Sequence, residues 1–393
     1  MYFREELKSE YVNNFSGWLL AELIIADAQA RKGKRGTFDE HKWEVNKMEN
    51  LIELRDSLLD RTYRPSRGTA HVIKNPVLRE IFAAPYRDRV VHHFIYNQVY
   101  DWWDKRFIRD SYSCREGKGT LYGIRRLAAQ IQSCSDNFQR KNVWAIKLDI
   151  QGYFMSLPRE QLLKTTLDGL DRQFKKNWSE LPKEARKQFK WSEDELYQLL
   201  RFLWEKIVLD DPVREVRRKG WPKAWETLPP SKSLFNAKPG VGIVIGNLTS
   251  QLLSNIYLDQ LDKYVTKELG YKYYGRYVDD FFIIVEEKDL AKALKDIEHI
   301  ANFLERLGLT LHPKKRKIQP VERGVDFLGA VVYPGRVFPG KRILKNANVA
   351  FHEVAAGIRD LETVVSYLGH MRHLDSRKKI AELYEQVGWD YNW

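Results

Sequence analysis

Two pairs of adjacent aspartates stand in different surroundings in this sequence. Asp210-Asp211 lies in a polar stretch before a proline, and we interpret it as exposed charge. Asp279-Asp280 lies between the apolar runs 273–278 and 281–285, which predict a hairpin with both carboxylates at its tip. Burying such charges unpaired costs several kcal/mol, so a bound cation is the expected compensation. Because its ligands would be oxygen atoms, we expect Mg²⁺.

A third acid, Asp149, ends the β-type run that begins at Val143, and Gly152 bends the chain just beyond it. Three carboxylates on adjacent strands can hold two metal ions about 3.5–4 Å apart. Such a pair activates a primer 3′-hydroxyl and stabilises the leaving pyrophosphate, so the predicted chemistry is phosphoryl transfer. The alternative is that the acids only accept hydrogen bonds from turn amides.

Several helices and strands must position these acids. Helical spacing of apolar residues predicts helices over residues 11–30, 47–61, 88–103, 252–265 and 290–307. β-type patterns predict two short strands between 64 and 84, a strand over 143–149, a hairpin over 271–285 and a strand over 325–333. The basic run 31–36 is either a solvated linker or an RNA contact. This order of elements predicts an α+β fold.

A long polar segment, residues 162–239, is interpreted as an insertion with helical content. It contains five tryptophans, namely Trp178, Trp191, Trp204, Trp221 and Trp225. The sequence Ser192-Glu-Asp-Glu195 predicts a capping box that opens a helix through Ile207. The aromatic side chains either pack in a small core or serve as platforms for base stacking.

The bulk composition is that of a basic globular protein. The 393 residues include 66 Lys and Arg against 53 Asp and Glu, and the formal net charge of +13 favours polyanionic partners. Two cysteines, Cys114 and Cys134, exclude a disulfide framework and a four-cysteine zinc site. We find no signal-peptide pattern and no apolar stretch of about 20 residues, so we expect a cytoplasmic protein without a membrane segment.

Two motifs carry a resemblance to a known family. Tyr277-Val278-Asp279-Asp280 resembles the YxDD box of reverse transcriptases, and the sequence Leu-Asp-Ile-Gln-Gly-Tyr-Phe at 148–154 resembles their first catalytic motif. The resemblance extends from about Arg64 to Gly369. It implies a right-hand polymerase with fingers, a palm made of an antiparallel sheet with helices on one face, and a short helical thumb. The implied domains are a helical N-terminal extension (1–62), fingers (63–142), palm (143–336, with the insertion at about 162–239) and thumb (337–393).

The same resemblance implies the site residues. The implied catalytic acids are Asp149, Asp279 and Asp280, which together with Ile150 form a metal site for two Mg²⁺ ions, or for Mn²⁺ in their place. Phe154 would block the ribose 2′-hydroxyl, and Lys315 or Lys317 would protonate the departing pyrophosphate. The residues implied to bind the incoming dNTP are Lys74, Arg79, Phe154, Ile245 and Lys317. Those implied to contact template and primer are Gly246, Asn247, Ser250, Gln251, Tyr277, Phe327, Leu328 and Gly329.

Position 245 separates this chain from many reverse transcriptases, which have Pro-Gln-Gly where this sequence has Val244-Ile245-Gly246. An aliphatic side chain cannot test base-pair geometry through hydrogen bonds, which predicts lowered fidelity. With this substitution, the segments 87–93, 111–120, 246–251 and 366–373 resemble the reverse transcriptases of diversity-generating retroelements. Those enzymes misincorporate opposite template adenine, and they are related to retron, group II intron and antiphage-defence reverse transcriptases.

The sequence therefore predicts a bacterial reverse transcriptase that makes cDNA from a specific structured RNA, with dNTPs as substrates and with errors. One alternative is a defence polymerase that copies a non-coding RNA. Another is an inactive relative that only binds RNA. The resemblance also implies a small basic accessory protein or an oligomeric assembly. The template RNA, the mode of priming and the biological role stay open.

Overall fold

The structure is a computed structural model, and it describes residues 14–33, 36–74, 77–140, 142–181, 183 and 190–391. Its helices are α1 (Phe15–Ala30), α2 (Phe38–Val45), α3 (Lys47–Leu59), α4 (Tyr86–Asp104), α5 (Thr120–Cys134), α6 (Tyr153–Ser156), α7 (Arg159–Ser179), α8 (Glu195–Leu209), α9 (Pro222–Glu226), α10 (Leu248–Lys263), α11 (Glu287–Arg306), α12 (Lys341–Ala355), α13 (Leu361–Met371) and α14 (Arg377–Gln386). Its strands are β1 (Thr69–Ile73), β2 (Arg79–Ala83), β3 (Val143–Asp149), β4 (Arg217–Arg218), β5 (Tyr274–Tyr277), β6 (Asp280–Glu286), β7 (Lys317–Pro320), β8 (Val325–Phe327), β9 (Ala330–Tyr333) and β10 (Arg336–Pro339). None of the helices that can be described combines the length and the apolar character needed to cross a bilayer.

The ends of the predicted helices differ from the observed ones for local reasons. Helix α1 begins at Phe15 because Asn14 caps it, with its side-chain oxygen accepting a hydrogen bond from the Gly17 amide at 2.9 Å. The first predicted residues of this helix, 11–13, lie outside the described residues. Arg31 follows the helix and forms ion pairs with Asp27 and Glu44, so this part of the basic run is not a solvated linker. Residues 34–35 of the run lie outside the described part of the chain.

The predicted capping box at Ser192 is wrong. Ser192 and Glu193 belong to a short 3-10 turn, and the residue that caps α8 is Asp194. Its side chain accepts a hydrogen bond from the Tyr197 amide at 3.0 Å. A carboxylate at the cap position also interacts well with the positive end of the helix, which explains why aspartate takes this place.

One compact unit comprises the described residues up to Phe107 together with Gln151–Gln260 and Glu305–Leu309. The predicted strands between 64 and 84 are confirmed as the antiparallel pair β1 and β2, with Ile73 opposite Arg79. Strand β4, from the segment interpreted as an insertion, adds to this sheet in parallel to β1. The insertion is therefore an integral part of this unit, and its Trp204 is a buried core residue on α8.

The second unit comprises Ile108–Ile150, Leu261–Leu304 and Thr310–Trp393, as far as these are described. Its main sheet, called the central sheet here, has the order β5-β6-β3-β7 with all neighbours antiparallel. A smaller sheet has the order β10-β9-β8. The strand predicted over 325–333 is thus two strands, because Leu328 and Gly329 reverse the chain with φ of +51° and +86°. Helices α12 to α14 pack around their own core, which includes Phe351 and Met371.

The side chains on one face of the central sheet change character along β3 and β6. Residues two apart on a strand share a face, so Ala145 is followed on its face by Lys147 and Asp149. Ala145 lies in a core cluster with Phe282 and with residues of α5. Asp149 is paired in register with Asp280, and Lys147 with Phe282. One end of this face is therefore apolar and buried, and the other end carries the charged residues.

Candidate active site

A two-residue turn joins β5 to β6 and carries the two neighbouring acids. Tyr277 is paired with Asp280, so Val278 and Asp279 occupy the turn; residues 277–280 are called the acidic turn here. Val278 has φ of +56°, an unusual conformation for a β-branched residue. The amide of Ile150 donates to the Asp279 carbonyl at 3.1 Å. The three predicted acids Asp149, Asp279 and Asp280 thus lie on two hydrogen-bonded strands and the turn between β5 and β6.

A buried ion pair is hydrogen-bonded to the backbone of the acidic turn. Arg276 is fully buried, and its guanidinium donates two hydrogen bonds of 2.7 Å to the carboxylate of Asp262. The same guanidinium donates to the Val278 carbonyl at 2.9 Å, while the Val278 amide donates to Ser113 Oγ at 3.2 Å. Both backbone polar groups of Val278 are satisfied, which stabilises its left-handed conformation. Arg276 was not predicted from the sequence, although an arginine within an otherwise apolar strand is a signal of a buried ion pair.

Two lysines lie at the acids. Lys315 Nζ is 2.9 Å from Asp149 Oδ2, and Lys147 Nζ is 3.0 Å from Asp280 Oδ2. Lys315 is one of the predicted site residues. Lys147 was not predicted, although its place two residues before Asp149 on the same strand face could have indicated it. The other named lysine, Lys317, forms an ion pair with Asp326 at 2.8 Å.

The segment that carries Lys315 is anchored to β3. The amide of His312 donates to the Asp149 carbonyl at 2.8 Å. The His312 ring accepts hydrogen bonds at Nδ1 from the amides of Lys314 and Lys315, at 3.1 and 3.3 Å. These bonds close a tight turn, which directs Lys315 back towards Asp149.

Electrostatics at the three acids favour an added positive charge. Burial, and then the negative charge of Asp149, raise the pKa of Asp279 from 3.8 to about 6, with Asp280 adding to the effect. Burial also raises the pKa of Asp280, although Lys147 opposes this shift. Within the described ranges no group of three or more His, Cys, Asp or Glu side chains is arranged to hold a metal ion. The carboxylate oxygens of these three acids are ligands of the type that Mg²⁺ prefers, as is a backbone carbonyl such as the one predicted at Ile150.

The residues 327–329, which the resemblance implies to contact template and primer, form the turn between β8 and β9. Phe327 is buried, with its ring 5.0 Å from that of Phe282, so its side chain serves the core. Leu328 and Gly329 are partly exposed. Gly340 fixes the turn by donating its amide to the Gly329 carbonyl at 2.8 Å. If nucleic acid is contacted here, the contact falls to Leu328 and Gly329.

Three of the residues predicted to bind the dNTP, Lys74, Arg79 and Phe154, lie in the first unit. The side chains of Lys74 and Arg79 are exposed at the tip of the β1–β2 hairpin. Phe154 is partly buried on the short helix α6, which starts where Gly152 turns the chain with φ of +56°. Its ring is 5.3 Å from that of Tyr153, whose hydroxyl donates to the Ser254 carbonyl at 2.7 Å. The position of Phe154 is therefore fixed by a buried neighbour.

The segment around Ile245 is bound to the edge of β2. The Phe82 amide donates to the Ile245 carbonyl at 2.8 Å, and a Cβ on Gly246, which has φ of +138°, would overlap the Phe82 carbonyl. Glycine at 246 is thus explained by close packing of two backbones rather than by an approach to nucleic acid. At the start of α10, Ser250 is buried, whereas Gln251 is exposed and Asn247 is partly exposed.

Comparison with known families agrees with this geometry. Residues 231–332, which include the acidic turn, match the model of the family described as reverse transcriptase (RNA-dependent DNA polymerase). This part of the chain is similar to reverse transcriptases. The predicted resemblance to reverse transcriptases is confirmed by this match, and the predicted α+β class is confirmed by the mixed helices and antiparallel sheets.

Individual relatives are distant. The protein YkfC of Escherichia coli (strain K12) is 25% identical over 311 residues, which make up 70% of this chain and 69% of YkfC. The structure of apo telomerase from Candida tropicalis aligns with a TM-score of 0.47 and 13% identity, over 82% of this chain and 60% of that chain. Telomerase from Candida albicans, in complex with a TWJ fragment of telomeric RNA, aligns with a TM-score of 0.45 and 11% identity, over 84% of this chain and 57% of that chain. This chain thus spans about three fifths of the telomerase chains that it matches.

Proposed function

We propose that this chain is an RNA-directed DNA polymerase that makes cDNA from a structured RNA template, using dNTPs, in the cytoplasm. The observation that carries the proposal is the grouping of Asp149, Asp279 and Asp280 at one end of the central sheet. An inactive RNA-binding relative would have no need of three adjacent acids in a place where burial, and then the charge of Asp149, raise the pKa of Asp279.

Two Mg²⁺ ions, or Mn²⁺ in their place, fit this set of donors. The three carboxylates and the Ile150 carbonyl would hold them, and the ammonium groups of Lys147 and Lys315 already lie where positive charge is favoured. When bound, the ions would supply activation of the primer 3′-hydroxyl and stabilisation of the leaving pyrophosphate. The acidic turn contributes rigidity, because Arg276 fixes the backbone next to Asp279.

Lys315 is the lysine that we assign to protonation of the departing pyrophosphate. Its Nζ lies at Asp149, whereas Lys317 is held by Asp326. The hydrogen bonds of the Lys314 and Lys315 amides to His312 limit the freedom of this segment. A general acid must be held close to the atom that it protonates, which this anchoring favours.

Nucleotide selection is assigned to residues of the first unit. Phe154 would exclude ribonucleotides by occupying the space of the 2′-hydroxyl, and Lys74 and Arg79 would bind the triphosphate by charge. Ile245 offers no hydrogen bond with which to test base pairing. We therefore propose error-prone copying in a diversity-generating retroelement as the biological role, with the structured RNA, the nascent cDNA and a small basic accessory protein as partners.

Extension of a DNA primer on an RNA template tests the polymerase assignment. The wild-type chain should add dNTPs only in the presence of Mg²⁺ or Mn²⁺, and Asp149→Asn should abolish this. Asp289→Asn is the matched control, because Asp289 is an exposed acid in the same unit. Equal activity of the two variants would contradict the assignment.

Sequencing of the cDNA tests the retroelement role separately. On a template of mixed sequence, we expect substitutions to concentrate at template adenines, and Ile245→Gln should lower their frequency. Uniformly low error at all four bases would contradict this role and favour the antiphage-defence alternative, while leaving the polymerase assignment intact.

A further inference from the structure

The segment 217–223 combines an exposed tryptophan with a cluster of basic residues, and it is called the Trp221 platform here. Residues 214–223 include five basic side chains, Arg214, Arg217, Arg218, Lys219 and Lys223, and one acidic side chain, Glu215. The side chain of Trp221 is 79% exposed. Its neighbours from residue 217 to residue 223 are all exposed as well. Such a large aromatic ring left in water among cations needs an explanation, because tryptophan is otherwise strongly buried.

Trp221 differs from Trp204 and Trp225, two other tryptophans of the segment 162–239. Trp204 is buried in the core of α8, and Trp225 packs edge-on against Phe235 with 5.8 Å between ring centroids. Both serve the local core. Trp221 contributes its backbone instead, as the residue that caps α9, while its ring points into solvent.

The backbone beneath the exposed ring is held in place at several points. Strand β4 is hydrogen-bonded to β1, with the Lys219 amide donating to the Ala70 carbonyl at 2.7 Å. The Trp225 indole donates to the Lys219 carbonyl at 3.1 Å, and the Trp221 carbonyl accepts from the Ala224 amide at 3.0 Å. Gly220, with φ of +94°, makes the turn between Lys219 and Trp221. The ring is therefore presented by an ordered segment, which lowers the entropy lost when it binds a ligand.

The cations next to the ring are arranged along the same segment. Arg218 is held by the faces of two aromatic rings, with its guanidinium carbon 3.9 Å from the Phe235 centroid and 5.2 Å from that of Trp225. Arg217, Lys219 and Lys223 are exposed. The backbone of a polynucleotide carries a negative charge at each nucleotide and is complementary to these cations. Unpaired bases are flat and are complementary to the Trp221 ring.

We propose that the Trp221 platform binds single-stranded polynucleotide, with one base stacked on Trp221 and the flanking phosphates held by Arg217 and Lys219. A duplex does not fit this chemistry, because its bases are already stacked on each other. The proposal rests on the proposed function in one respect, since the copied RNA is the strand that the platform would hold. The Trp221 platform lies in the segment 162–239, so this contact with the polynucleotide would be made outside the polymerase motifs.

Fluorescence anisotropy with labelled probes tests the proposal. The probes are a 15-nucleotide oligo(U), the corresponding oligo(dT), and a blunt RNA duplex of the same length, each titrated with the full chain. Trp221→Ala should raise the Kd for oligo(U) by about tenfold to a hundredfold, since stacking on an aromatic ring contributes about 1–3 kcal/mol per base. The Kd for the duplex should change by less than about threefold. Trp221→Phe should keep most of the affinity. The ratio of the losses for oligo(U) and oligo(dT) shows whether RNA or any single strand is preferred.

Two control variants separate stacking from general effects. Phe38→Ala removes an aromatic side chain that is 84% exposed but lies next to Asp39 and Glu40, and it should leave the Kd for oligo(U) unchanged. Arg217→Ala combined with Lys219→Ala should reduce the slope of log Kd against log salt by about 1.4, at about 0.7 per phosphate contact. Lys175→Ala with Lys176→Ala removes the same charge from α7 and should leave this slope unchanged.

The binding experiments can fail independently of the primer-extension experiment that tests the polymerase assignment. An equal Kd for oligo(U) in wild type, Trp221→Ala and Phe38→Ala would overturn the platform even if primer extension is normal. Heparin is a polyanion without bases, and Trp221→Ala removes no charge, so this variant should bind heparin as tightly as wild type does. A loss of heparin affinity as large as the loss of oligo(U) affinity would also overturn the proposal. Conversely, a wild-type chain that binds oligo(U) through Trp221 but extends no primer would contradict the polymerase assignment alone.

Discussion

The chain contains two Asp-Asp pairs whose surroundings differ in almost every respect. At the end of α8, Asp210 forms an ion pair with Arg214 at 2.9 Å, and its carbonyl accepts from Arg159 at 2.5 Å. Asp211 is exposed and accepts a hydrogen bond from the Val213 amide at 3.1 Å. Asp210 thus links the end of α8 to Arg159 at the start of α7, and Asp211 starts a turn.

The pair at 279–280 is surrounded by other charges. Asp149 lies on the neighbouring strand, and Lys147 and Lys315 form ion pairs with Asp280 and Asp149. The pKa of Asp279 is raised to about 6, chiefly by burial and by Asp149. Burial raises the pKa of Asp210 as well, so the pair at 279–280 is distinguished by the third acid and the two lysines beside it.

The largest expected contrast between the two pairs is in catalysis. Asp279→Asn with Asp280→Asn should lower Mg²⁺-dependent primer extension by at least about a thousandfold, since the cation site contributes several kcal/mol to the transition state. Asp210→Asn with Asp211→Asn should keep activity within about threefold. Extension rates under single-turnover conditions measure both, and similar losses in the two double variants would remove the distinction.

The arginines next to the two pairs should differ in their contribution to stability. Arg276→Met leaves the fully buried Asp262 without its cationic partner and should lower the free energy of unfolding by about 3–5 kcal/mol. Arg214→Met breaks an exposed ion pair and should cost less than about 1 kcal/mol. Urea unfolding of both variants tests this. Equal costs would mean that Arg276 does not hold the acidic turn.

The pH dependence of stability gives a smaller effect with a defined sign. The pKa of Asp279 is higher in the folded state than its ordinary 3.8, so its contribution to stability is present at low pH and is lost as the pH rises through about 6. Asp279→Asn should therefore be more stable than wild type at pH 8 without divalent ions, by about 1–2 kcal/mol after allowance for solvent screening.

The same comparison at low pH supplies the control for Asp279. At pH 4 the gain of Asp279→Asn should disappear, because the wild-type carboxyl is then largely protonated. Asp211→Asn, at an exposed position, should show no gain at either pH. A gain of Asp279→Asn that stays constant between pH 4 and pH 8 would contradict the raised pKa.

Much of the second unit could be predicted from the sequence. The run 143–149 has a β-type pattern that ends in an acid, and the hairpin 271–285 places two acids between apolar runs. Local pattern and long-range pairing agree there, so β3, β5 and β6 appear where the sequence predicts them. The β-type pattern of 325–333 did not indicate its split into two strands, because Leu328 has a positive φ, which no local preference of leucine predicts.

The parts of the site that could not be predicted depend on contacts between distant residues. Lys147 reaches Asp280 through pairing of β3 with β6, and Arg276 is buried against Asp262. Neither partner can be identified from spacing along the chain. Similarly, nothing in the sequence indicates that β4 joins the sheet of β1 and β2, which makes the segment 162–239 part of the first unit.

Binding of Mn²⁺ measured by electron paramagnetic resonance tests most directly whether Asp149, Asp279 and Asp280 form a cation centre. The chain would be titrated on an RNA template with a dideoxy-terminated primer and the matching dNTP, so that no turnover occurs. We predict saturable binding that Mg²⁺ competes away, that is lost in Asp279→Asn with Asp280→Asn, and that is kept in Asp210→Asn with Asp211→Asn. Equal binding by the two double variants would contradict the assignment of the acidic turn as the metal site.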